Sequence, residues 1–169
     1  MPSFRMLDSN LSTYLVSLTG GGPVASLTDI CSLQGAALKT VKVRTILVGG
    51  WTTTGRSQIV NIVRRSSANS GGTTFAAKPV DTTDQPAAAV GLAYFGAITT
   101  PGTLVAQIDA MTFGMVAAGA LQDRAIFNYQ QFTQKGPVLN NAAEWLCVNM
   151  AGQTTVADHL DVSIWWTEQ

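Results

Sequence analysis

An all-β, antiparallel sandwich of the jelly-roll kind, with eight or nine strands, is the fold this sequence predicts, and three observations predict it. Apolar side chains alternate with other residues in run after run, the period that turns one side of a strand toward a core. Clusters of Gly, Pro, Ser, Thr and Asn separate the runs at short intervals. Strand and helix patterns do not alternate as a parallel sheet would require, and no internal repeat signals a solenoid or propeller.

The first strand is read from Tyr14, Val16 and Leu18, and it stops at Gly20-Gly21-Gly22-Pro23, which break a ladder. A short run from Ile30 to Leu33 follows, then a longer one carrying Val41, Val43, Ile46 and Val48 before Gly49 and Gly50. Gln58 to Arg65 is rich in β-branched residues and apolar on both faces around Asn61. Residues 66–84, loaded with Ser, Gly, Thr, Asn and Pro, are too long for a tight turn and read as a loop excursion. Val90, Leu92, Tyr94 and Phe95 give another strand, closed by Pro101-Gly102.

Leu104 to Leu121 is ambiguous, because Leu104, Ile108, Met111 and Met115 also fit a helical spacing. Gly114 and Gly119 each weaken a helix by about 1 kcal/mol relative to Ala, and the neighbouring runs are strands, so broken β structure is expected there. Ala125 to Phe132, Glu144 to Met150 and Leu160 to Thr167 complete the set. In the last of these, Leu160, Val162, Ile164 and Trp166 share one face, so Trp165 and Trp166 face opposite sides and one of them points to a second layer or an interface.

With 169 residues the chain is expected to form one domain over 13–169, preceded by an arm over 1–12. Only 12% of residues are charged, about half the usual share, and ten Lys plus Arg balance ten Asp plus Glu. Such a balance gives no pull toward nucleic acid or a membrane, and near-zero net charge promotes association. Met1 to Asn10 lacks the apolar core of a signal peptide, and no apolar run reaches the length of a membrane-spanning helix, so assembly in a cytoplasm is expected.

Reactive chemistry has few carriers. His159, between Asp158 and Asp161, is the sole histidine, and neither GxSxG, HExxH, a P-loop nor GxGxxG occurs, so no catalytic residue and no cofactor is assigned. Cys31 and Cys147 stand far apart without zinc spacing and read as buried thiols. Asp81-Thr82-Thr83-Asp84 offers oxygens, but two carboxylates are few for calcium, and local turn bonding is expected instead. No metal site is assigned. Arg64 and Arg65 point to opposite faces of their strand, so each takes either an internal carboxylate or carbonyl, or a partner subunit's acid.

Two stretches carry a family likeness: Ile62 to Thr74 (IVRRSSANSGGTT) with Pro79-Val-Asp and Pro86-Ala-Ala-Ala, and Leu160 to Gln169 (LDVSIWWTEQ). Over much of residues 41–169 the chain resembles the small decoration, or cement, proteins of tailed-phage heads. The resemblance implies a jelly-roll virion subunit on the capsid surface, commonly a homotrimer, whose partners are the major capsid protein and itself. Candidate interface residues are Phe4, Arg5, Met6 and Leu7 of the arm, with Trp51, Arg64, Arg65 and Trp165; deleting residues 2–10 is expected to abolish decoration without unfolding the protein. Another virion part (tail, fibre or head-tail adaptor piece) and a carbohydrate-binding jelly-roll module are the competing expectations.

Overall fold

In the computed structural model, which describes residues 12–19, 29–75, 77–94, 100–117, 123–130, 135–151 and 159–169, the alternating runs become strands and the described residues contain no helix. In chain order these are β1 (Thr13–Thr19), β2 (Asp29–Gln34), β3 (Val41–Trp51), β4 (Arg56–Arg65), β5 (Thr73–Phe75) and β6 (Lys78–Pro79). The second half adds β7 (Val90–Ala93), β8 (Leu104–Met115), β9 (Arg124–Asn128), β10 (Val138–Leu139), β11 (Trp145–Asn149) and β12 (His159–Glu168). The twelve strands of the described residues exceed the eight or nine expected because β5, β6 and β10 are only two or three residues long. Side chains alone do not announce so short a pairing.

The strands form two antiparallel sheets. In the first, β10-β3-β12-β1-β6 run side by side and β9 also pairs with β3; in the second the order is β5-β7-β2-β11-β4-β8. The long strands therefore align as β1-β12-β3-β9 in one layer and β2-β11-β4-β8 in the other, and β1, β2, β3 and β4 alternate between layers. Side chains of both layers meet in one buried cluster that includes Val16, Val48, Val60, Ile62, Phe113, Phe127, Leu146 and Ile164. Each such side chain, fully buried, contributes about 1.5–3 kcal/mol. Trp166 lies in this core against Tyr14, ring centroids 5.9 Å apart, and its Nε1 donates to the Glu168 carboxylate at 3.1 Å.

Along β3 the inward residues are Val41 and Val43, then Ile46 and Val48. The step of three between Val43 and Ile46 marks a bulge: Trp166 pairs with Val43 and Trp165 with Thr45, leaving Arg44 as the extra residue. Residues 104–115, where broken structure was expected, form one twelve-residue strand with two similar irregularities. The stretch 66–84, read as a loop, contains β5 and β6, which extend one sheet each. Residues 1–11 of the proposed arm, including Phe4, Arg5, Met6 and Leu7, lie outside the described residues.

Candidate interaction surfaces

The outer face of the second sheet is covered over part of its width by the chain itself. Val63, Trp145 and Cys147 form a small buried cluster there, joined by Leu92. Beside it Arg65 grips Asp29 with two bonds, Nε to Oδ2 at 2.6 Å and Nη2 to Oδ1 at 2.9 Å, while Nη1 donates to the Gly102 carbonyl at 2.6 Å. Asn69 and Asn149 donate to the same carboxylate, and the Gly102 amide donates to Asn69 Oδ1. Asp29 is fully buried and Arg65 only 7% exposed. Burial by itself would raise the Asp29 pKa, but the bonds from Arg65, Asn149 and Asn69 outweigh it and hold the carboxyl below its ordinary value.

This network fastens residues 66–72 and 100–103 over the sheet. The amides of Ser66 and Ser70 donate to the carbonyls of Thr103 and Thr100, at 3.0 and 2.9 Å. A Cβ on Gly102 would lie 2.0 Å from the Ser67 carbonyl oxygen, so only glycine permits the approach. Gly72, at φ +100°, presses against the Tyr94 ring, whose hydroxyl meets Ser32 Oγ at 2.9 Å. Further along, Asp81 Oδ1 accepts both the amide and the hydroxyl of Thr83, the local turn bonding expected of that segment.

At the β8 edge the described residues leave the same sheet uncovered. Leu104, Val105, Ile108 and Met111, with Ile59 on neighbouring β4, are 36–58% exposed. Bulges place two of them, Ile108 and Val105, outside the regular pairing. Asp109 pairs with Ile62 and Gln107 with Val63, so Ile108 is extra; Ala106 pairs with Arg64 and Leu104 with Arg65, so Val105 is extra. Pairing of this edge with another strand is opposed in two ways: the bulges interrupt its ladder, and carboxylates occupy exposed amides. Asp109 Oδ1 accepts from the Ala110 amide at 2.8 Å and Asp123 Oδ2 from that of Gly114 at 3.2 Å. The edge thus offers side chains rather than backbone.

On the outer face of the first sheet, Trp165 is 38% exposed and Ile126 is exposed on β9. Trp51 pairs with His159 across the ladder and stacks on it, centroids 5.8 Å apart and planes within 9°. His159 Nε2 lies 3.1 Å from Asp161 Oδ1. A shallow cavity of about 240 Å³ lies beside them, lined by Ser17, Gly49, Arg124 and Asp161 among others. Cys31 and Cys147 are buried, and burial raises both thiols far above their ordinary range, so neither is a ready nucleophile. Among the described residues no group of three His, Cys, Asp or Glu is placed to hold a metal ion.

The residues expected at an interface are thus dispersed. Arg65 is engaged inside the chain, Arg64 bonds Glu144 just before β11, Trp51 is stacked and half-buried, and Trp165 stands open on the opposite layer. Sequence reasoning missed the β8 patch, since periodicity assigns an apolar strand residue to the core, and it missed Asp29, which is 36 positions from its partner. No family model, curated protein or solved structure matches this chain.

Proposed function

We propose that this chain is a virion structural protein of the decoration type: it binds the outer surface of a tailed-phage head, as a homo-oligomer, and ties neighbouring major capsid protein subunits together. The observation that carries the reading is the outer face near β8, where Leu104, Val105 and Ile108, with Ile59 on adjoining β4, remain exposed among the described residues. Contiguous exposed apolar surface on a soluble fold marks a docking site. The capped and bulged edge favours a partner that meets side chains over one that adds a strand. The long-strand order β1-β12-β3-β9 against β2-β11-β4-β8 supports naming the sandwich a jelly roll.

Cementing works through many modest contacts multiplied by symmetry, because one oligomer engages several shell subunits at once. A weakly charged surface suits that task. The test is the copy ratio to shell protein in purified particles. A decoration protein is expected in numbers comparable to the shell subunits; a few copies per particle would assign it to a tail, fibre or adaptor instead.

A further inference from the structure

We propose that the cavity between the start of β3, Tyr129 and residues 135–138 is a binding site for a compact oxyanion. It measures about 400 Å³, within the range of small-ligand sites, and is lined by Lys42, Arg44, Lys135, Tyr129 and Gly136 among others. Three of the chain's ten Lys and Arg residues therefore converge on one hollow. Among the described residues none of the three forms an ion pair.

The present partners of these cations are neutral oxygens. Lys42 Nζ donates to Gln169 Oε1, and Arg44 Nε donates to Thr167 Oγ1 at 3.3 Å. An ammonium carries three donors and a guanidinium five, so donors remain for a ligand. Three like charges around one hollow repel each other, and an oxyanion relieves that repulsion while accepting charge-assisted hydrogen bonds.

The frame is fixed by backbone bonds and not by the cations themselves. The Tyr129 amide donates to the Arg44 carbonyl at 2.9 Å and the Val43 amide to the Pro137 carbonyl at 3.0 Å. A Cβ on Gly136 would lie 2.6 Å from Tyr129 Cβ and 2.7 Å from the Val43 carbonyl oxygen, so glycine is what brings Lys135 this close to β3. The β3 bulge at Arg44 belongs to the same frame. Asp109, on β8 of the other sheet, acts through its charge on the Tyr129 hydroxyl but does not line the cavity, and Glu168, beside Lys42 in the ladder, is engaged by the Ala88 and Ala89 amides.

The site stands whether or not the chain decorates a capsid. Its test is titration of the full chain with inorganic phosphate, and separately with acetate, at ionic strength held constant by chloride, following backbone amide shifts. Saturable shifts confined to Tyr129, Gly136, Val138 and their neighbours are expected. Tighter phosphate binding marks a site for a free tetrahedral anion, and tighter acetate binding one for a carboxylate. Lys42→Gln and Lys135→Gln should each weaken binding by about tenfold, while Lys39→Gln, outside the cavity, should not. Shifts that follow ionic strength alone in the wild-type protein, or equal affinity in all the variants, would overturn the proposal.

Discussion

The two parts of the second sheet's outer face meet their surroundings in opposite ways. Over β2 and β11 the chain supplies its own cover, and every charge placed there is bonded: Asp29 accepts from Arg65, Asn69 and Asn149. Over β8 and the adjoining part of β4 nothing among the described residues covers Ile59, Val105 and Ile108, while Asp109 and Asp123 cap backbone amides. A buried charge demands complete satisfaction, whereas an exposed apolar side chain demands only a neighbour, which another molecule can provide. On the proposed function, the first part belongs to folding and the second to association.

That division is broken most severely at Asp29. Asp29→Ala leaves Arg65 buried without its partner and should lower stability by about 3–5 kcal/mol in chemical denaturation. Asp29→Leu with Arg65→Met, which removes both charges together, should cost much less, within about 2 kcal/mol; an equal loss would show that the network's value is not mainly the pairing of charge. Because the folded pKa of Asp29 lies below its unfolded value, its contribution is complete above about pH 4 and is lost as pH falls through the lower folded value. The wild-type protein should therefore lose stability in that acid range, and the double variant should lose less.

A smaller effect is expected at the cover itself. Gly102→Ala forces a Cβ against the Ser67 carbonyl and should destabilise the protein by about 1–3 kcal/mol, read as a shift in thermal midpoint. Smallest for folding is Val105→Asp with Ile108→Asp, within about 0.5 kcal/mol, since both side chains already face solvent. The same pair should abolish binding to shells lacking the protein, measured by co-sedimentation.

Most of the sandwich was legible in the sequence because period-2 alternation reports burial directly, as β12 illustrates with Leu160, Val162, Ile164 and Trp166 all buried. The same signal fails where bulges insert residues. In β8 the spacing of 104, 108, 111 and 115 only imitates a helix: Met111 and Met115 share the inward face with Phe113, while Leu104 and Ile108 lie at the two bulges and are exposed. On β3 the step from Val43 to Ile46 is the trace of the Arg44 bulge. The sites were far less legible. Arg65 and Asp29 meet only because β11 brings β2 and β4 to its two sides. Lys42, Arg44 and Lys135 likewise share a cavity through sheet pairing that no local pattern reveals.

The claim that the β8 surface is the part made for other protein is tested most directly by hydroxyl-radical footprinting of the free protein and of the protein on purified particles. Labelling at Leu104, Val105, Ile108 and Met111 should fall sharply on the particle while Leu38, exposed in the free chain, keeps its reactivity. Equal labelling of the β8 residues in both states would contradict it.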